Sequence, residues 1–194
     1  HKKIMGNVIH EEKSFRNIAF TEEETRNSEF YNCSFISCDF SDKVFISAIF
    51  VDCVFSNCNL SMVKLNQCLL NDITFKESKL LGVDFSDCID RPFIVKFENC
   101  GLDYSSFVRK KLAKTSFTGS SLRNVDFTEC DLTKATFSNT DLTDAVFNRT
   151  ILKEADFTSA TNFNIDPELN NIRKARFSLY GLAGLLTKYD IKID

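Results

Sequence analysis

The sequence has no tryptophan, two prolines, six glycines and two histidines in 194 residues. So little Gly and Pro excludes a sandwich punctuated by Gly/Pro turns and a low-complexity linker. His1 and His10 both lie near the N-terminus, which leaves neither a Ser-His-Asp triad nor a His-rich metal site. No glycine-rich phosphate loop is present. No apolar run reaches the roughly 18 residues of a membrane-spanning helix. The start carries no signal-peptide core, so a soluble cytoplasmic protein is expected. Positive charge is not in excess either: 24 Lys and Arg face 27 Asp and Glu, for a formal net charge of −3. A protein that grips nucleic acid by its phosphates should be basic. Direct nucleic-acid binding is therefore not expected.

What is plentiful is phenylalanine, 20 residues, and it is periodic. Steps of five from Phe30 reach Phe35, Phe40, Phe45, Phe50, Phe55, Leu60, Leu65, Leu70, Phe75, Leu80 and Phe85. A two-residue slip follows across Ile89-Asp90-Arg91-Pro92-Phe93. The count resumes at Phe97 and runs through Leu102, Phe107, Leu112, Phe117, Leu122, Phe127, Leu132, Phe137, Leu142, Phe147 and Leu152 to Phe157. Every such position, termed i, is Phe or Leu. Position i−2 is small, as at Cys33, Ala48, Val63, Ser78, Thr115 and Ala155, with Lys43 and Lys110 as exceptions.

Residues i−2 and i share one side of an extended chain, and i−1 takes the other. Neither the helical period of 3.6 nor the strand period of 2 yields this pattern. A chain that turns a corner every five residues does. Every fourth repeat is alike: one face reads Phe35, Phe55, Phe75, Phe97, Phe117, Phe137, Phe157, and the opposite face Phe45, Leu65, Phe85, Phe107, Phe127, Phe147. Four corners make a coil of about 20 residues, and coils stack as parallel strands about 4.8 Å apart. The expected fold is an all-β solenoid, a four-sided parallel β-helix plugged by its i side chains. Six coils give a rod of roughly 30 Å.

The eight cysteines, Cys33, Cys38, Cys53, Cys58, Cys68, Cys88, Cys100 and Cys130, all fall on i−2. They read as reduced interior side chains, since stacked neighbours point in parallel and disfavour the disulfide dihedral. Lys43 and Lys110 would bury an ammonium at i−2, which calls for a bulge or for stems running out to water. Paired acids such as Asp39 and Asp42 lie on a convex surface, and a filled rod offers no cleft. The chain is not expected to be an enzyme, and no cofactor or metal is implied.

Function then falls to the outer faces. Asp39, Asp42, Asp84, Asp87, Asp103, Asp126, Glu129, Asp141 and Asp144 lie on two adjacent faces, against Lys64, Lys79, Arg109, Arg123 and Arg149. These nine acids form a candidate anionic stripe suited to a cationic groove built for a duplex. Val44, Ile46, Ile49, Val51 and Val54 also point outward, and the N-terminal segment from Ile4 to Phe20 is expected to lie over them. Three regions follow. Residues 1–27 are an N-terminal segment with a degenerate first coil, residues 28–159 the repeats with a slip at 86–96, and residues 160–194 a C-terminal cap. In the cap, Leu182, Leu185, Leu186 and Tyr189 follow a helical stripe with Ser178 placed as N-cap. Gly181 and Gly184 within it imply a close approach. Such a short α-helix either caps its own coil or pairs with a second chain.

Stretches such as Ala135-Thr136-Phe137-Ser138-Asn139 and Ala155-Asp156-Phe157-Thr158-Ser159 resemble the repeat of the pentapeptide repeat family, small–Asp/Asn–Leu/Phe–x–x. The resemblance implies a right-handed quadrilateral β-helix. The ending, with Asn164-Ile165-Asp166, Arg173-Lys174-Ala175-Arg176-Phe177-Ser178-Leu179, Leu185-Leu186 and Asp190-Ile191, is similar to the albicidin-immunity and Qnr-type fluoroquinolone-resistance subfamily. That similarity implies a homodimer joined through Leu179, Leu182, Leu185, Leu186, Tyr189 and Ile191. It also implies a DNA-like rod that engages DNA gyrase or topoisomerase IV at the DNA-binding saddle, inhibiting it or protecting it from quinolones. Many members carry long projecting loops linked to quinolone protection, whereas here the register breaks by only two residues near Arg91-Pro92. The alternative is a repeat scaffold with a different protein partner.

Overall fold

Extended stretches of a few residues alternate with corners from Val8 to Phe177 in the computed structural model, which describes residues 8–22 and 24–192. The corner is made by i+2, which takes left-handed backbone at nearly every turn: φ is 51° at Asn32, 57° at Asp42, 59° at Glu129 and 58° at Lys174. Such backbone costs a residue with a Cβ roughly 1 kcal/mol or more. A hydrogen bond to the next coil offsets it: Asn32 N–H donates to the Val51 carbonyl at 3.0 Å and Glu129 N–H to that of Asn148 at 2.9 Å.

The coils stack in parallel. Ser34–Ile36 pairs with Ser14–Arg16 on one side and Val54–Ser56 on the other, so that Phe35 stands between Phe15 and Phe55. The result is a parallel β-solenoid of about eight turns, two more than the repeat count suggests. One added turn is N-terminal, where Val8–Glu11 pairs with Ser28–Tyr31. The other is C-terminal, where Arg176-Phe177 pairs with Asp156-Phe157.

The four faces are numbered in the order the chain visits them. Face one carries the Phe15-to-Phe177 column, whose rings stack at 4.5 Å between Phe35 and Phe55 and at 5.2 Å between Phe117 and Phe137. Face two carries Phe20, Phe40 and then leucines from Leu60 to Leu142. Face three runs from Phe45 to Phe147. Face four holds Phe30, Phe50, Leu70, Phe93, Leu112, Leu132 and Leu152, and is opposite face two. These rungs form one continuous core, buried except at Phe15 and Phe177, which are half-buried at its ends.

The N-terminal chain belongs to the stack. His10 and Thr25 occupy core slots, with the His10 ring on Phe30 at 4.8 Å and Thr25 buried. From Val8 onward it therefore closes the end of the rod instead of covering Val44, Ile46, Ile49, Val51 and Val54. Those side chains are half-buried on their own faces. Ile4 to Asn7 of the expected cover lie outside the described residues.

All eight cysteines are buried free thiols. They brace the coils: Cys53 donates to the Phe30 carbonyl at 3.4 Å and Cys130 to that of Phe107 at 2.8 Å. Burial pushes Cys53 and Cys130 up to about 12, so these thiols stay neutral at physiological pH.

Lys43 is half-buried. Lys110 departs from expectation: it is 1% exposed, and its ammonium is inside. There it donates to the Cys88 carbonyl and, at 2.6 Å, to Asp90 Oδ1, and it stands 5.2 Å from the centre of the Phe93 ring. Asp90 stands where the five-residue count asks for Phe or Leu. Three extra residues turn it out and bring Phe93 into the slot beside Leu70, and the ladder recovers one of them between Phe93 and Val95, which leaves the net slip of two. The register slip and the buried cation are thus one feature, a pair spanning two coils.

The expected C-terminal helix is present, but as 3₁₀ turns over Leu179–Leu185 and Thr187–Tyr189 rather than an α-helix. Ser178 Oγ accepts from Gly181 N–H at 3.1 Å, and i to i+3 bonds close the later turns, as from Leu186 N–H to the Ala183 carbonyl at 3.0 Å. A segment this short, with two glycines, favours the tighter winding. The close approach at the glycines is to Phe163. A Cβ on Gly181 would lie 2.8 Å from Phe163 Cζ, and one on Gly184 would lie 2.8 Å from Phe163 Cδ2.

Candidate interaction faces

The side chains at i−1 and i+1 point outward and determine what each face offers. Where i−1 is Asp and i+1 is Ser or Thr, the carboxylate folds over its own turn. Asp84 accepts from Ser86 N–H at 2.9 Å and Asp126 from Thr128 N–H at 2.8 Å. Asp141 accepts from both Thr143 N–H and its hydroxyl. Asp39 is bracketed likewise by Ser41, whose hydroxyl holds it below the usual carboxylate range. These acids build the turn as well as charging it, a role the sequence signals as Asp at i−1 followed by Ser or Thr at i+1.

The nine candidate acids lie on faces two and three and fall into three groups. Asp39 and Asp42 lie toward the N-terminal end, Asp84, Asp87 and Asp103 at mid-rod, and Asp126, Glu129, Asp141 and Asp144 near the C-terminal end. They do not form an unbroken stripe. One column of successive coils reads Asp39, Asn59, Lys79, Gly101, Ser121, Asp141, Thr161, and another Lys64, Asp84, Ser106, Asp126, Val146. At the corner of face three, Glu129 sits between Arg109 at 2.8 Å and Arg149 at 3.9 Å. The Arg109 bond lowers its pKa. Arg123 approaches Asp141 at 3.6 Å, and Asp103 accepts from the Ser121 hydroxyl and from Arg123 N–H. Asp42, Asp87 and Asp144 are exposed, with no side-chain hydrogen bond or ion pair among the described residues.

The C-terminal end of the rod is apolar. Leu179 is 80% exposed and Tyr180 97%, beside exposed Leu182, Tyr189 and Ile191. Leu185 and Leu186 are half-buried, and Leu185 packs on the core. Tyr180 lies off the helical stripe and escapes a periodicity argument. Lys188 pins the segment down, reaching Asp166 and Glu168 at 2.7 Å each, while the Tyr189 hydroxyl donates to Glu168 at 2.9 Å. The Lys188 bonds hold both carboxyls below their ordinary range. Among the described residues no three His, Cys, Asp or Glu side chains converge as a metal site.

No curated protein matches this chain in sequence. Among solved structures, a trypsin-treated form of QnrB1, a plasmid-mediated fluoroquinolone resistance protein, superposes with a TM-score of 0.61 at 19% identity, over 97% of this chain and 98% of that one. Full-length QnrB1 gives a TM-score of 0.51 at 15% identity, over 94% of this chain and 100% of that one. At such identities the likeness is one of fold. The sequence profile of the pentapeptide repeat region matches residues 28–107 and 93–161, the same turns that the Phe and Leu rungs fill, and the chain therefore belongs to the pentapeptide repeat family.

Proposed function

We propose that this protein is a rod that imitates duplex DNA, occupies the cationic DNA-binding saddle of a bacterial type II topoisomerase, and acts by binding rather than catalysis. The reading rests on where the acids gather. Asp126, Glu129, Asp141 and Asp144 share the last turns of faces two and three, next to the apolar end formed by Leu179, Tyr180, Leu182, Tyr189 and Ile191. Twofold pairing of two such ends covers the exposed leucines and tyrosines and makes the acidic groups of both copies flank the junction. Eight turns at about 4.8 Å make roughly 38 Å, and two copies roughly 80 Å, long enough to stand in for a stretch of duplex that carries one charge about every 1.7 Å of its axis. The fold shared with QnrB1, itself described as a fluoroquinolone resistance protein, supports the same direction. The free thiols suit a reducing compartment, so the cytoplasm is the proposed setting.

Sedimentation and competition test this directly. The protein should run as a dimer and Leu182→Asp with Ile191→Asp as a monomer. Immobilised protein should retain gyrase or topoisomerase IV at low salt and release it to excess duplex DNA. A monomeric parent, or retention that duplex cannot compete away, would contradict the reading. The latter result would instead favour a scaffold with some other partner.

A further inference from the structure

Over its last four turns, face four carries charge of the opposite sign to the acidic faces. Its corner column over the last four turns reads Lys114, Lys134, Glu154, Lys174, each left-handed with φ of 63°, 59°, 58° and 58°. Beside the column lie Lys111, Lys153 and Arg173. All six cations are exposed. Only Asp131 and Glu154 oppose them. The Asp131 carboxylate is turned onto Thr133, whose N–H and hydroxyl it accepts at 3.0 and 2.6 Å. Glu154 is shared by Lys134 at 3.4 Å and Lys153 at 3.8 Å. Lys111, Lys114, Arg173 and Lys174 have no acidic partner among the described residues.

We propose that this part of face four is a docking surface for the sugar–phosphate backbone of a nucleic-acid duplex, recognised without regard to sequence. The formal charge of −3 averages over two unlike sides of the rod and conceals it. Face four is opposite face two, with the packed interior between them. Opposed sheet faces stand about 10 Å apart, beyond the Debye length of about 8 Å at physiological ionic strength. A polyanion on face four is therefore screened from the acids of face two, and at the edge shared with face three Glu129 is taken up by Arg109 and Arg149.

The spacing selects the partner. Four layers about 4.8 Å apart set the cations along roughly 14 Å of a straight, rigid line, and one duplex strand offers a phosphate about every 3.4 Å along the axis. The other outward residues of these turns on this face include Ala113, Thr133, Ile151 and Asn171, with no aromatic ring among them. Unpaired bases find nothing to stack on, which disfavours a single strand. Contacts limited to phosphates position a duplex without reading it. The surface is opposite face two and meets face three only along the corner of Arg109, Glu129 and Arg149, and the inference rests on none of the acids in the topoisomerase reading.

The test is fluorescence anisotropy of a short labelled duplex with the full chain. Binding should appear at low salt and weaken with a log–log slope of about −3 to −4, as expected for about four neutralised phosphates. Joint substitution of Lys114→Gln, Lys134→Gln, Arg173→Gln and Lys174→Gln should weaken binding at least tenfold. A control of equal net charge, Lys64→Gln, Lys76→Gln, Lys79→Gln and Lys96→Gln, should keep most of it, with circular dichroism confirming that both sets fold. No binding at low salt, or equal losses in the two sets, would overturn the proposal. So would tighter binding of the single strand, or displacement by polyglutamate as effective as by unlabelled duplex, which would point to an acidic protein instead.

Discussion

Lys110 and Asp90 show how much depends on single residues in a structure built from repeats. The ammonium is buried while the Asp90 side chain is more than half exposed, so the two halves of the pair are not equivalent. Removing the acid leaves a buried cation with the Cys88 carbonyl and the Phe93 ring but no counter-charge; removing the lysine leaves an acid that water can solvate. Asp90→Ala should therefore cost about 3 kcal/mol. Lys110→Met keeps the volume of the stem and should cost about 1 kcal/mol or less. Urea unfolding of the two variants checks the order, and a greater loss for Lys110→Met would contradict it. The core rungs were open to a sequence reading because each interior slot admits only a large apolar side chain. The pair was not, because the count that finds the rungs treats Asp90 and Lys110 as two separate irregularities. An acid at i and a lysine at i−2 one coil later is the signal that joins them. The bracketing acids were read only as charge, since the hydrogen bond from i+1 depends on turn geometry that the period does not supply.

Among elements, the C-terminal segment differs most from its sequence reading. A stripe at i, i+3, i+4 and i+7 fits an α-helix, yet Gly181 and Gly184 against Phe163 leave a tighter path. His10 and Thr25 escaped the count for a related reason: in the first coils the core slots take residues that the middle does not. The C-terminal turns are fastened by Lys188 to Asp166 and Glu168, whose pKa values lie below the ordinary carboxylate range. A depressed carboxyl contributes stability above its unfolded pKa and loses it as the pH falls through the folded value. The fastening should thus be complete at neutral pH, weaken as the pH falls below the ordinary carboxylate range of about 4, and fail as these lowered carboxyls protonate. Protection against amide exchange at Tyr189 and Asp190, taken relative to the intrinsic rate at each pH, should fall over that range while protection in the Phe117 and Phe137 turns stays high. Protection at Tyr189 that is indifferent to acid would show that the ion pairs do not hold the segment.

For the whole molecule, one winding rule yields a rigid interior and four independent outer faces. The filled centre leaves the solenoid to act through its surface, and the surface divides into an acidic pair of faces, a basic stretch on the last four turns of face four and an apolar end. The proposed role depends on the C-terminal acids of faces two and three. The most direct measurement is DNA supercoiling by gyrase at low ionic strength, with the protein added as parent and as the joint variant Asp126→Lys, Glu129→Lys, Asp141→Lys and Asp144→Lys. The parent should suppress supercoiling in a way that fades as salt rises, and the folded variant should leave the enzyme fully active. Supercoiling untouched by the parent, or suppressed equally by both, would contradict the proposal.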